Sequence, residues 1–348
     1  MWYQEHVSLY GWTSFRVPTT AAYGAICSHP EELPYVHKLL PLREHPLVVL
    51  GNGSNILFAT DYPGIVLRPL FRGIHLLEYD EDTVQVEVAA GEPWHEFVYT
   101  CLRNGWYGLE NLALIPGTVG AAPVHNIGAY GVEVSQFLEG VRVWDFTTEQ
   151  LCWLPAEELL LRYRSSILRE TLLGKVLVTH VRFRLYRRAR PKVDYPELAR
   201  FLSDSGIAYP TAEDVFRAVC AIRRCKLPDP AHIPNAGSFF KNPVLPLSVA
   251  EELRQRHPAL PTFPHGSDTV KIPAGWLLEQ CGWKGKRIGN VGVWQHHALV
   301  IVNYGAATGE EILRFAELLW RSVYDRFGIT LEPEVLILPR EAWNPSSR

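Results

Sequence analysis

Two glycine-rich stretches constrain this chain more than any other feature. LGNGSNILF (50–58) follows PLVVL (46–50), a short apolar run that stops at Gly51 and reads as a buried strand. IPGTVGAAPVHNIGAYG (115–131) spaces Gly117, Gly120, Gly128 and Gly131 among Thr118, Ala121, Ala122 and Ala129, and so carries almost no side-chain bulk. Glycine lets main chain approach a partner closely, and successive N–H groups in a turn can face one anion. Such a bare surface suits a pyrophosphate and the edge of a ring system. Neither stretch is a GxGxxG opening a long helix, and neither carries GK[ST], so Rossmann and P-loop sites are not indicated. Taken singly, each is better explained as a tight-turn linker. Taken together, both after strands, they favour a dinucleotide held without a Rossmann fold.

The bulk numbers fit that reading. With 348 residues the chain exceeds one ordinary compact domain. Hydrophobic residues at 47% and charged residues at 20% give a globular composition. A net charge of −3 offers no global basic field, so nucleic acid is not an expected partner. The arginines of VRFRLYRRAR (181–190) read as a solvated strand end. The six cysteines form no CxxC pair, which argues against a disulfide framework or a zinc site, and no metal is expected. Free buried thiols in a reducing compartment are the simple expectation. MWYQEHVSLYGW lacks a basic start and apolar core, and no apolar run approaches the about 18 residues of a membrane span. A cytoplasmic protein with no membrane partner is expected.

Strand-like and helix-like segments alternate without repeats. VQVEVAAG (84–91), GVRVWDF (140–146) and KVLVTHVRFRL (175–185) read as strands, and WHEFVYTCLRNG (94–105) as a helix stopped by Asn-Gly. Thr211 and Asp214 give TAEDVFRAVCAIRRCK a capped start, and the proline-rich LPDPAHIPN after it marks a boundary. Ser248 with Glu251, and Thr308 with Glu311, predict two more capping boxes. In the second helix Ile312, Phe315, Leu319 and Val323 line one face, and Gly328 ends it. LEPEVLIL (331–338) predicts a last strand. In NAGSFFKNP (235–243) the phenylalanines belong in a core and the flanking residues in loops. The fold class is α+β, with a long helix between two strands in the last unit.

LGNGSNILF, GLENLALIPGTVGAAPVHNIGAYG, YRSS, RRCKLPDP, NAGSFFKNP, AGWLLEQCGWKG and LEPEV, ordered from about residue 10 to 338, resemble the UDP-N-acetylenolpyruvoylglucosamine reductase (MurB) family. Tyr195, in KVDYPEL, resembles the lid tyrosine of that family's longer subtype. The resemblance implies residues 1–220 as a two-lobed FAD-binding domain of the vanillyl-alcohol-oxidase (PCMH) type, with lobes of about 1–70 and 71–220. Residues 221–348 would form a C-terminal α/β substrate-binding domain. FAD, held non-covalently, would contact Gly51, Asn52, Gly53, Ser54, Asn55, Pro116, Gly117, Thr118, Gly120, Ala121, Asn126, Gly128, Ala129, Tyr130 and Arg223. NADPH would reduce it, and the hydride would pass to the enolpyruvyl group of a UDP-sugar, making UDP-N-acetylmuramate for peptidoglycan. A monomer is expected.

That chemistry suits the residues present. Hydride addition to an enol ether conjugated to a carboxylate builds enolate charge, which needs fixed donors or cations beforehand. By the resemblance Arg164 grips the carboxylate, Glu334 is its second partner and Ser238 gives the final proton; guanidinium geometry fits the first role. From sequence alone Ser238 is more simply a loop hydroxyl. Lys226, Lys284, Asn242 and Tyr195 match family contacts to the substrate, chiefly around its diphosphate. The chain departs from the family pattern at Ser165, where an aspartate is usual, and at His125 and His297, where glutamines are usual. A hydroxy-acid oxidase of similar fold would lack NAGSFFKNP and LEPEV. A non-catalytic nucleotide-sugar binder need not keep Arg164, Ser238 and Glu334 together.

Overall fold

The computed structural model describes residues 1–345. Its main chain gathers into two compact units that interleave along the sequence: Met1–Val7, Ala21–Asn52 and Pro63–Cys225 in one, Ser8–Thr20, Gly53–Tyr62 and Lys226 onward in the other.

The first unit contains two sheets. One orders the strands Gln150–Pro155, Leu138–Asp145, Val176–Tyr186, Thr83–Ala89 and Ile74–Tyr79, each antiparallel to its neighbour. The predicted alternation holds in Thr83–Ala89, where Val84, Val86 and Val88 are buried in a core with Trp94, Phe97 and Phe183. The helix Trp94–Arg103 lays Trp94, Phe97, Val98 and Cys101 on that core, as its spacing predicts. The second sheet orders Trp2–Ser8, Thr20–Cys27, Tyr62–Pro69 and Leu47–Val49, with a separate cluster around Leu33, Val36, Ile65 and Phe71. Thr211 and Asp214 exchange the expected capping bonds at the start of the helix Ala212–Lys226.

Of the arginine run, Arg184, Arg187, Arg188 and Arg190 are exposed, as expected of a solvated strand end, and Arg182 alone is half-buried. Arg182 pairs with the buried Glu87 at 3.0 Å and stacks on Trp153, and Arg184 pairs with Glu139 at 2.5 Å. The thiols divide as well. Cys27, Cys101 and Cys220 are buried, Cys152 and Cys281 half-buried, and Cys225 exposed; all are free.

The second unit centres on the helix Gly309–Phe327. Thr308 and Glu311 form its capping box and Gly328 ends it in the left-handed region. Ile312, Phe315, Leu319 and Val323 are buried, each contributing about 1.5–3 kcal/mol by removal from water. They pack with Phe15, Leu57, Phe239 and Phe240. A sheet orders Asn235–Ser238, Val300–Asn303, Val291–Val293 and Arg287–Ile288.

Three local expectations need correction. Asn235–Ser238 is a strand rather than a loop, because Ser238 pairs with Val300 across a bulge and Asn235 with Val302. Ser248 caps nothing: the helix Leu247–Arg256 is entered two residues earlier, at Pro246, whose fixed φ suits a helix entrance. The final strand is only Leu336–Leu338, parallel to Ile56–Phe58. Pro333 brings no N–H to a ladder, and residues 331–335 lie irregularly before it.

Candidate active site

In the first unit the two glycine stretches meet. Asn52 donates through Nδ2 to the carbonyl of Gly117 at 3.2 Å. A side chain at Gly51 would lie 2.7 Å from Thr118 Oγ1 and would force that side chain to shift. The Gly117 carbonyl also accepts from Trp94 N, and Val119 N donates to Glu92. Among the described residues no protein acceptor takes the N–H of Gly117 or of Thr118. Main-chain donors left open in this way fit an anionic ligand. Gly120 and Ala121 follow in close packing, with Gly120 N donating to Ala90 and Ala121 N to Thr118.

Arg223 adds a cation to the same unit. It is half-buried, donates through Nε to the carbonyl of Leu114 at 3.2 Å and, among the described residues, has no carboxylate partner. Burial pulls its pKa below the usual guanidinium range, opposed by Tyr130 and Cys220. A guanidinium held this way, in the same unit as the open main-chain donors, fits a cofactor pyrophosphate. Burial likewise pushes the Tyr130 hydroxyl up to about 12, against the opposing charge of Arg223.

Beyond Thr118, Gly128–Ala129 pairs with Val132–Glu133 in a hairpin whose turn residues Tyr130 and Gly131 both have positive φ, +47° and +81°. Asn126 ends the short helix before it in the left-handed conformation, donating to Glu133 and to the carbonyl of Arg162 at 3.0 Å each. Arg164 also has positive φ, +54°, and reaches back to this hairpin. Its Nη2 donates to the Gly128 carbonyl at 2.5 Å and its Nη1 to Asn126 at 3.4 Å. A Cβ on Gly128 would stand 3.0 Å from Arg164 Nη1. Tyr195 packs edge-on against Tyr130 with ring centroids 5.4 Å apart.

Two departures find partners here. Ser165 Oγ donates to the Glu170 carboxylate, five residues on. His125 lies 3.0 Å from Arg169 Nη1; burial, Arg169 and Arg164 hold its pKa down at about 3, so it is neutral.

In the second unit NAGSFFKNP and LEPEV run side by side. Glu334 N donates to Phe239 O at 2.8 Å, Lys241 N to Glu332 O at 2.9 Å, and Phe240 bridges Pro333. Asn55 fixes the same strip, donating from Nδ2 to Glu334 O at 3.3 Å and accepting from Leu336 N. Gly53 and Ser54 lead into it; the carbonyl of Gly53 accepts from Ser14 N at 3.0 Å. Ser238 is half-buried, and its hydroxyl meets no protein partner among the described residues. Gly237 before it has φ +70°, and its N–H is held by Asn235 Oδ1 at 2.9 Å. Phe239 and Phe240 are buried on the other side, so the serine is held on a rigid support.

The remaining picks are less alike. Asn242 Oδ1 accepts from Ala274 N at 2.9 Å at the start of the helix Ala274–Gln280, so half of its amide is structural. Lys284 is exposed and paired with Glu279 at 2.8 Å. Lys226 ends the helix Ala212–Lys226. His297 accepts through Nδ1 from Leu299 N at 3.2 Å. Pro116 precedes the open donors directly. Two residues escaped the sequence reading. Asn235 and Asn111 are buried carboxamides that donate to main-chain carbonyls. A lone amide that follows Glu110 in the largely apolar GLENLALIP is the signal that marks Asn111.

Among the described residues no group of three or more His, Cys, Asp or Glu side chains is placed to hold a metal ion, and no helix is long and apolar enough to cross a membrane.

Comparison with known proteins shows the family. The UDP-N-acetylenolpyruvoylglucosamine reductase C-terminal domain family matches residues 229–338, and an FAD binding domain family matches residues 21–154. The chain is 47% identical over 337 residues to UDP-N-acetylenolpyruvoylglucosamine reductase of Chromobacterium violaceum, covering 97% of this chain and 99% of that one. It is 44% identical over 331 residues to the enzyme of that name from Pseudomonas fluorescens, covering 95% and 97%. The crystal structure of UDP-N-acetylenolpyruvylglucosamine reductase (MurB) from Thermus caldophilus superposes with a TM-score of 0.65 at 28% identity, covering 97% of this chain and all of that one. The PCMH-type flavin domain followed by a MurB C-terminal domain is therefore the architecture, and with relatives matched along nearly its whole length, the chain belongs to the UDP-N-acetylenolpyruvoylglucosamine reductase family.

Proposed function

We propose that this protein is a cytoplasmic, monomeric UDP-N-acetylmuramate dehydrogenase that uses NADPH in peptidoglycan precursor synthesis. The flavin domain spans about 1–220 and the substrate domain 221–348. Bound FAD supplies hydride, taken from NADPH, to the enolpyruvyl group of the UDP-sugar. Everything else falls to the side chains. Arg164 holds the substrate carboxylate and stabilises enolate charge, with Glu334 as its second partner. Ser238 delivers the proton that completes the reduction. Tyr195, Lys226, Asn242 and Lys284 contact the substrate, and Tyr195 excludes water from it. Arg223 and the open N–H groups of Gly117 and Thr118 neutralise the flavin pyrophosphate, with the other glycine-loop residues named above along the cofactor.

The observation that carries this reading is the pairing of Glu334 N with Phe239 O, which sets the proposed acid and the proposed carboxylate on adjacent segments, the serine hydroxyl being unengaged among the described residues. The test is anaerobic stopped-flow. FAD-loaded protein is bleached with NADPH, then mixed with UDP-N-acetyl-3-O-(1-carboxyvinyl)-glucosamine. Rapid return of the oxidised flavin spectrum with formation of UDP-N-acetylmuramate is expected. A flavin that stays bleached on mixing would overturn the proposal.

A further inference from the structure

Between Arg187 and Tyr195 the chain leaves the strand Val176–Tyr186 and reaches the helix Pro196–Asp204 without regular structure. Both ends are pinned. Tyr186 exchanges two main-chain bonds with Tyr107, and Arg187 N donates to Asp82 O. At the other end Tyr195 O accepts from Ala199 N, and Leu198 and Leu202 are buried. For residues 188–194, one hydrogen bond to main chain is present among the described residues: the carbonyl of Lys192 accepts from Asn111 Nδ2 at 2.9 Å. The same amide nitrogen gives its other proton to the carbonyl of Tyr130 at 3.0 Å.

Asn111 is only 1% exposed. Its two donors thus tie together two carbonyls, 19 and 81 residues away in sequence. One belongs to the glycine hairpin, at a residue with φ +47°. The other lies three residues before Tyr195, whose ring rests against Tyr130. A buried amide in a dry site loses more when a partner is removed than an exposed one does. Among the described residues neither carbonyl accepts from any other donor, so freeing one frees the segment.

We infer that Asn111 is a positioning residue that sets the closed arrangement of the Tyr195 segment against the hairpin. It acts through the carbonyls of Lys192 and Tyr130 and touches neither substrate nor reacting atoms. The inference rests on the proposed role of Tyr195 as a substrate-covering lid. It follows that hairpin and lid are one mechanical piece. An order imposed on Tyr130 by a bound cofactor is passed through this amide to the lid.

Lys192 makes the tether directly testable, because trypsin cleaves after lysine only where the local chain can be unfolded into its cleft. FAD-loaded wild type and Asn111→Ala are digested under native conditions and the fragments identified by mass. Cleavage at Lys192–Val193 is expected at least about tenfold faster in the variant, with cleavage outside residues 187–194 unchanged. Asn111→Ser serves the same purpose should the alanine variant fold poorly. Leu112→Ala, at a neighbouring residue buried in the core, is the control for general loosening and raises cleavage at many sites. Unchanged cleavage at Lys192 in a folded Asn111 variant, or a pattern like that of Leu112→Ala, overturns the tether.

The second arm is kinetic. Asn111→Ala is expected to raise KM for the enolpyruvyl sugar several-fold with a smaller change in kcat. Added to Tyr195→Ala, it changes KM no further, because both act through one element. Additive effects overturn the lid role. A wild type that does not turn over the sugar at all defeats the functional reading instead, and the proteolysis still decides the tether.

Discussion

The backbone N–H of Glu334 donates to the carbonyl of Phe239 at 2.8 Å, one residue past Ser238. This bond fixes the spacing between two side chains that sit almost a hundred residues apart in sequence, and it does so through main chain, which side-chain substitution leaves in place.

Ser238→Ala should therefore leave the strip intact and remove only the hydroxyl. Flavin reduction by NADPH is expected near the wild-type rate. Reduction of the enolpyruvyl sugar should fall by about 10²–10⁴-fold, the range for loss of a positioned acid. Single-turnover traces of the two half-reactions separate these outcomes, and equal loss in both would remove the serine from the role of proton donor.

Arg223→Gln tests the cation in the flavin domain. Loss of a charge-assisted bond of about 1.5–3 kcal/mol should raise the Kd for FAD by about 10- to 100-fold. Titration of apoprotein followed by flavin fluorescence reads it. An unchanged Kd would make this arginine a support for the Leu114 carbonyl alone.

Gly128→Ala places a methyl 2.9 Å from Glu133 Cγ and 3.0 Å from both Arg164 Nη1 and the Val132 carbonyl. Arg164 must move to admit it. We expect a loss of about 1–3 kcal/mol in denaturant-measured stability and a larger proportional loss of turnover. Turnover that falls no further than stability predicts would show Arg164 to be indifferent to this displacement.

His125 gives the fold an acid-sensitive point. Its folded pKa of about 3 lies below the ordinary histidine value, so the unfolded chain binds a proton that the folded chain refuses. Stability from this group is complete above about pH 6.5 and is lost as pH falls from there toward 3. At pH 5 the loss is at most about 2 kcal/mol. His125→Gln should flatten that dependence when urea unfolding at pH 7.5 and pH 5 is compared. An unaltered difference between the two pH values would clear His125 of it.

Much of this was legible in the residues, for identifiable reasons. Thr308 and Glu311 cap a helix because both partners of the box are local, four residues of chain carrying the whole signal. Phe239 and Phe240 are buried as their size requires. The contact of the two glycine stretches was foreseeable in kind, since neither has side chains to keep the other away. Ser248 with Glu251 had the same pattern as the true box, yet Pro246 moved the entrance by two residues and left Ser248 inside the helix. Asn235–Ser238 looks like a turn in composition, and it becomes a strand because Val300–Asn303 supplies a partner that no local rule reports. Asn111 shows nothing but an amide in a largely apolar run; its two acceptors arrive from far along the chain.

The interleaving of the units limits how this polypeptide can be cut or made. Leu336–Leu338 takes its parallel partner from Ile56–Phe58, and Phe15 and Leu57 fill the core beneath the helix Gly309–Phe327. A fragment beginning at Lys226 would lack all of these and would leave a hydrophobic hole where they belong. During synthesis, Ser8–Thr20 and Gly53–Tyr62 leave the ribosome long before the strands and helix that cover them. Their apolar faces must wait for most of translation, so nascent-chain protection is a requirement built into the order of the sequence.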